Sequence, residues 1–380
     1  MARNSKQQRN TVNIRQVAEK AGVSVATVSR VINRSAAVTS DIAATVWKVV
    51  RELDYKPSLA ARYMKGHLTG SLGLLVPNLE SSFFASIATG ALAEAQKHDQ
   101  VIIISSAEGS RAKEITAIDA LSRSVIDGLI YIPISTGDPL PGVERFRHLP
   151  VVVVGRREVF KERPNVYVDN IKGGYLAAKY LLALGRRRIA FMAGFWDAPC
   201  SPETILSALK HENAGAYSSL DRFQGYLNAL EEAGVPFDPG LVVVCGYDFK
   251  AGYDGAAELI GRLAGVDGIM AANDRVATGV LAFLREQGIA VPTDISVIGY
   301  DDGPEATMAH PQLTTVRQDA QQLGRASVEV MNRLLAEQGN PEDCDFEVVK
   351  KCSKNNKSND VVVDVSLIIR ASTTAKPGAF

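Results

Sequence analysis

The stretch Asn13–Asn33, NIRQVAEKAGVSVATVSRVIN, decides how the N-terminal part of this chain folds. Ile14, Val17 and Ala18 form one short helical apolar stripe, and Val28, Val31 and Ile32 form a second. Ala21-Gly22-Val23 lies between them, and Gly22 adopts a left-handed turn at no steric cost. Ser24 is placed to cap the second helix. Two helices around a tight glycine turn predict a helix-turn-helix, whose second helix enters the DNA major groove. The polar face of that helix carries Ala26, Thr27, Ser29, Arg30 and Asn33. Arg30 offers a bidentate pair to guanine O6 and N7, and Val25 and Ala26 fit thymine methyls.

Charge is distributed as that reading requires. The 380 residues carry no net formal charge. Residues 1–66, however, hold 12 of the 42 Lys/Arg and 4 of the 42 Asp/Glu, a balance of +8 against −8 for the remainder. A basic head on an acidic body is expected if only the head meets phosphates. Cys200, Cys245, Cys344 and Cys352 form no CxxC pair and have no histidine cluster beside them. That argues against a zinc site or disulfide framework and for a reduced cytoplasmic setting. No apolar run follows the N-terminal charges, so no secretory signal is expected, and no stretch approaches a membrane span.

Beyond the motif, Ser40–Leu53 predicts a third helix with a capped start at Ser40-Asp41. Its stripe is Ile42, Val46, Val49, Val50 and Leu53, with Trp47 closing a shared three-helix core. Ser58–Lys65 (SLAARYMK) is a helical stretch too short to be stable alone. It suits a segment that orders on DNA.

The run AEKAGVSVATVSRVIN, followed by ELDYKPSLAARYMKG and then a strand, resembles the LacI/GalR family of bacterial transcription regulators. The resemblance extends to about Ser372. By position it implies that Val25, Ala26 and Arg30 read bases, and that Ser58–Lys65 is a hinge helix entering the minor groove as a pair from two subunits. Ala61 then faces the groove. Met64 takes the place of the usual wedging Leu, a departure that keeps an apolar, flexible side chain there. The implied domains are residues 1–57 (helix-turn-helix), 58–69 (hinge) and 70–380 (effector binding and dimerisation).

The body alternates strand and helix patterns. Strands are expected near Ser71–Val76, Val101–Ser105, Gly128–Ile132, Val151–Val154, Ile189–Ala193, Val242–Cys245, Gly268–Ala272, Ile295–Ile298 and Val361–Ile368. Such alternation predicts α/β architecture with parallel sheets covered by helices on both faces. Ligands of such sheets bind at the carboxyl ends of strands. The family resemblance implies a periplasmic-binding-protein type body, with two doubly wound subdomains and a ligand cleft between them. The expected halves are about 70–169 with 302–331, and 170–301 with 332–380.

Polar and aromatic residues at strand ends are the pocket candidates. Phe83 and Phe84 follow the first strand; core packing is their plain alternative, and the resemblance puts them beside the effector, where a ring stacks on a sugar or base. Arg222, in RFQGY, is implied to clamp a ligand oxygen. Asn273 and Asp301 end strands and suit the donors and acceptors of a hydroxylated ligand. Asp274 is expected as the cap of the following helix, and Gln318 is a further contact. After VVVV many relatives carry an Asp, whereas this chain has Gly155-Arg156-Arg157. Arg156 therefore extends the expected effectors to anionic ones such as sugar phosphates or carboxylates. The segments 196–219 and 342–359 exceed the family norm, the first suiting a flap and the second a surface loop.

Together these features predict a DNA-binding transcriptional regulator, in repressor form, that binds a near-palindromic operator as a homodimer under a small-molecule effector. Ala371–Phe380 lacks a heptad tail, so a dimer is expected rather than a tetramer. A solute sensor sharing the body fold without a gene-regulatory role is the alternative, but it leaves the basic head unexplained. An enzyme is not expected: no Ser-His-Asp set, phosphate-binding loop, dinucleotide fingerprint or metal spacing occurs. Neither a cofactor nor a metal is expected.

Overall fold

The computed structural model describes residues 12–32, 38–55, 68–134, 143–146, 148–156, 163–196, 203, 205, 207, 217–338 and 360–376. Two compact units emerge, Met1–Thr69 and Gly70–Phe380. Asn33, Ala61, Met64, Arg157, the Ser58–Lys65 stretch and most of 196–219 and 342–359 lie outside the described residues.

The first unit has three helices, α1 (Ile14–Ala21), α2 (Val25–Ile32) and α3 (Ser40–Glu52). Asn13 starts α1 with a reciprocal cap: its side chain accepts from Gln16 N, and Gln16 Oε1 accepts from Asn13 N. Gly22 ends that helix at φ 66°. Thr27 N then donates to Ser24 Oγ at 3.0 Å, the cap expected for α2. Val17, Ala18, Val28, Val31, Val46, Val49 and Val50 are buried together. Two expectations for α3 need correction. Its cap position is Thr39, with no side-chain cap bond. Trp47 does not close the core but stays 36% exposed, since it stands about 100° around the helix from Val46. Ile42 shares the inward face but lies in the first turn, at the edge of the core, and is 38% exposed.

The second unit contains two six-stranded sheets. Its strands are β1 (Ser71–Val76), β2 (Val101–Ser106), β3 (Gly128–Tyr131), β4 (Val151–Val154), β5 (Asn165–Val168), β6 (Ile189–Gly194), β7 (Val242–Cys245), β8 (Gly268–Met270), β9 (Ser296–Asp301), β10 (Thr314–Gln318), β11 (Val361–Val363) and β12 (Val365–Ile368). The helices are α4 (Ser82–Lys97), α5 (Arg111–Ser122), α6 (Asn170–Ala183), α7 (Ser218–Glu232), α8 (Phe249–Arg262), α9 (Asp274–Glu286), α10 (Pro304–Met308) and α11 (Ala320–Gln338). The sheet orders are β11-β5-β4-β3-β1-β2 and β12-β10-β9-β8-β6-β7. Every described strand pair is parallel except β10–β12. The near-continuous apolar runs of β1, β4 and β6 are buried throughout, as sheets covered on both faces require.

The chain passes between the halves three times, after β5, after β10 and between β11 and β12. On sequence alone 302–331 joins the first half and 332–380 the second. The pairings divide them otherwise. β10 runs beside β9 in the second sheet, with Thr314 opposite Ile298, whereas α11 packs on α4 of the first half. The stretch Val361–Ile368, which reads as one strand, breaks at Asp364. Its first part pairs with β5 and its second with β10, in different sheets. Alternation of apolar segments carries no information about which strand a segment pairs with, so these exchanges were hidden in the sequence.

Helices α6 and α7 cross in close contact because Gly174 and Gly225 lack side chains. A Cβ on Gly174 would run into the Arg222 carbonyl, and one on Gly225 into that of Ile171. This approach brings Arg222 against the start of α6.

Candidate functional site

A cavity of about 250 Å³ opens between the two halves of the body, at the carboxyl ends of their strands. Phe83, Phe84, Arg156, Arg222, Asn273, Asp301 and Gln318 all line it. Phe83 and Phe84 come from the first turn of α4, with ring centroids 5.3 Å apart at 67°. Trp196 and Tyr247 extend this aromatic wall from the second half, with centroids 5.0 Å apart, and Phe84 meets Trp196 at 6.2 Å. Trp196 also covers Gly109 of the first half, where a Cβ would lie 3.0 Å from the indole ring. Sequence reasoning missed Trp196 and Tyr247. Both follow strand ends, β6 and β7, and position after a strand was the signal available.

Arg222 is 9% exposed and held on three sides. Its Nε donates to Asn170 Oδ1 at 2.9 Å, its Nη1 donates to the Ala272 carbonyl at 2.7 Å, and its guanidinium carbon lies 3.7 Å from the Tyr300 ring centroid. Burial of Tyr300 pushes its hydroxyl pKa up to about 12 despite that arginine. Arg222 is thus a fixed, preorganised cation at the cavity wall rather than a surface charge at a helix start.

Asp301 ends β9 at φ 108°, and Gln318 Nε2 donates to its Oδ1 at 2.6 Å. Burial raises its carboxyl pKa to about 7, against the lowering influence of Arg222 and of the Gln318 bond; Glu305 adds to the rise. Near neutral pH this group titrates, so it offers either an acceptor or a donor to a ligand hydroxyl.

The roles of Asn273 and Asp274 are the reverse of the expected ones in one respect. Asn273, not Asp274, caps α9: its Oδ1 accepts from Val276 N at 2.8 Å, while its Nδ2 donates to the Tyr247 carbonyl at 3.1 Å. A side chain before the first helical residue can reach the free N–H groups of the first turn, and Asn273 occupies that position. Asp274 is buried in the first turn. It accepts from Thr315 Oγ1 at 2.6 Å and from Gly303 N at 2.8 Å, and burial holds its carboxyl well above the usual range. It therefore fastens the turn that follows Asp301.

Arg156 is half-buried beyond β4. Its Nη2 donates to the Pro133 carbonyl at 3.0 Å, and its guanidinium lies 5.7 Å from the Tyr217 ring centroid. Burial lowers its pKa, opposed by Tyr247, Tyr217, Glu114 and Tyr131. Two further polar contacts tie the halves together, the second between residues that line the cavity. Ser82 Oγ donates to Glu305 Oε2 at 2.8 Å, and Arg275 Nη1 donates to the Glu80 carbonyl at 3.4 Å.

In the first unit, Val25, Ala26 and Arg30 are exposed along one side of α2, whereas Val28 and Val31 face inward. Thr27 and Ser29 are half-buried, and Thr27 Oγ1 shares a hydrogen bond of 2.9 Å with Ser24 Oγ. Thr27 thus serves the cap as well as the helix surface.

Comparison with known proteins agrees with both units. Residues 13–58 match the family described as bacterial regulatory proteins, lacI family, and residues 178–373 match the periplasmic binding protein-like domain. The HTH-type transcriptional regulator RegA of Clostridium saccharobutylicum is 32% identical over 85% of this chain and 92% of its own length. The chain belongs to the LacI family of bacterial regulatory proteins. The HTH-type transcriptional repressor PurR of Yersinia pestis (strain Pestoides F) is 30% identical over 87% of this chain and 92% of that protein. Among solved structures, the transcriptional regulator CelR–cellobiose complex has a TM-score of 0.66 and 27% identity, covering 95% of this chain and 99% of that one. As a LacI-family member the chain is a DNA-binding transcriptional regulator with an effector-binding body, and not an enzyme. Among the described residues no helix is long and apolar enough to cross a membrane.

Proposed function

We propose that this regulator represses transcription by binding a near-palindromic operator as a homodimer, and that a small molecule in the inter-half cleft controls the binding. The observation that carries the effector site is the convergence of Arg222, Asn273, Asp301 and Gln318 from four separate elements on one cavity with aromatic walls. Fixed polar groups facing flat apolar rings match a ligand with ring C–H faces and hydroxyl edges. A carbohydrate or carbohydrate derivative has both, and the cellobiose held by CelR supports that class. Arg156, on the same wall, adds a partner for an anionic substituent such as a phosphate or carboxylate.

On the DNA side, Val25, Ala26 and Arg30 read base edges, with Thr27 and Ser29 on the same helix and Asn33 next after it in sequence as further contacts. Ala61 and Met64 act in the minor groove. Half-sites related by a two-fold axis need two heads, hence a dimer. The ligand acts by binding one arrangement of the two halves more tightly than another.

Thermal-shift screening of the full chain against neutral sugars, sugar acids and sugar phosphates tests the cleft. A hit that stabilises the wild type should fail to stabilise Asp301→Ala and Arg222→Met. A hit that stabilises all three equally binds elsewhere.

A further inference from the structure

Two consecutive residues without the freedom of glycine, Asp301 at φ 108° and Asp302 at φ 58°, occupy the left-handed region where β9 ends. Such backbone persists only where the surroundings hold it, and it concentrates at ligand sites. What holds it here is on the far side of Asp301 from the cavity. The Asp302 side chain is only 6% exposed and accepts from two arginines, Arg317 Nε at 2.6 Å and Arg370 Nη2 at 2.5 Å. Arg370 is itself fixed, since its Nη1 donates to the Leu313 carbonyl at 2.8 Å.

The register explains why the neighbouring strand can hold both aspartates. Arg317 of β10 lies opposite Asp301, and Gln318 follows it. Successive strand residues point to opposite faces. Gln318 therefore reaches Asp301 on the cavity side while Arg317 reaches Asp302 on the other. The next residue is tied as well, Gly303 N donating to Asp274 Oδ2.

We infer that Asp302, clamped between Arg317 and Arg370, is the positioning residue that turns the Asp301 carboxyl into the cleft and holds it against Gln318. Charge-assisted bonds to a nearly buried carboxylate are among the stronger ones available to the fold. They offset a backbone conformation that the chain would otherwise relax, and relaxation would swing Asp301 toward solvent. The inference rests on the reading of Asp301 as an effector contact only for its consequence; the clamp itself is a matter of how that carboxyl is held.

The test reads Asp301 directly, without a ligand. In the full chain carrying 13C-carboxyl aspartate, the Asp301 signal is assigned by its loss in Asp301→Asn, and its titration is followed by NMR. Asp302→Asn keeps the size and a residue type that tolerates the left-handed region, but removes the charge. Arg317→Leu cuts one arm near the surface and decides the matter should Asp302→Asn fail to fold. The expected result is a wild-type Asp301 that titrates near 7 and, in the variants, moves toward the ordinary aspartate value of about 4. Folded variants in which Asp301 still titrates near 7 overturn the clamp, as does a wild-type Asp301 already near 4. An Asp301→Ala protein that keeps its ligand response, beside clamp variants that do move the titration, removes the effector reading and leaves the positioning role standing.

Discussion

Phe84 and Trp196 meet across the cleft, their ring centroids 6.2 Å apart, one from the first half of the body and the other from the second. With the Ser82–Glu305 bond and the Arg275 contact to the Glu80 carbonyl, this ring contact joins the two halves across the cleft. A ligand entering beside these rings touches both halves at once. That is the physical condition for a small molecule to bias their relative arrangement.

Replacing Trp196 with alanine removes its packing on Phe84, Tyr247 and Gly109 together. Denaturant unfolding of the body is expected to show a loss of about 1–3 kcal/mol, below that of a fully buried tryptophan because Trp196 is half-buried. Ligand affinity by calorimetry should fall as well. Unchanged affinity would take the indole out of the ligand wall.

Arg222→Met keeps the length of the side chain and deletes its donors. The Ala272 carbonyl loses its bond and Asn170 Oδ1 keeps only the weaker contact from Tyr300, at 3.3 Å. The expected cost is about 2–4 kcal/mol by chemical denaturation, together with loss of ligand response. A stable, fully responsive variant would show that the arginine belongs to neither the wall nor the fold.

Asp301 gives the site a pH dependence. Its folded pKa of about 7 lies above the unfolded value of about 3.9, so the folded protein binds the extra proton between them. Its contribution to stability is therefore complete below about pH 4 and is lost as pH rises through 7. A ligand hydroxyl donating to the carboxylate favours the ionised form. Affinity should then rise about tenfold from pH 6 to pH 8, and Asp301→Asn should flatten the profile. An affinity that falls over that range would assign Asp301 the donor role instead.

Arg30 is exposed on α2, clear of the three-helix core. Its change to alanine should cost about 1–3 kcal/mol at one base pair per half-site and relax specificity there, as read by binding to singly substituted operators. A uniform loss on all sequences would mark it as a phosphate contact. The circular-dichroism spectrum should not change.

The head was legible because its pattern is local. Gly22, Ser24 and the valine spacing each act within one or two turns. The body's alternation of strands and helices was legible for the same reason. Sheet membership was not: Thr314–Gln318 and Val361–Ile368 take their places through pairings with residues far away in sequence. Within the cleft, strand-end position marked Asn273 and Asp301, and the family resemblance marked Arg222, but neither showed that Asn273 is committed to a cap and a carbonyl while Asp274 is buried beneath the turn. Trp196 sits at the start of a segment without a motif, and its partners Phe84, Gly109 and Tyr247 are all distant in sequence. The role of Asp302 was not legible, because its two arginines come from β10 and from the segment beyond β12.

The proposed repression depends on recognition of a specific, two-fold symmetric DNA sequence. Selection from a pool of random duplexes, with the purified full-length protein and sequencing of the retained DNA, tests it most directly. Enrichment of one near-palindrome is expected, with the Arg30→Ala protein losing preference at a single position in each half. Enrichment of no sequence, or of one asymmetric half-site bound by a monomer, would contradict it.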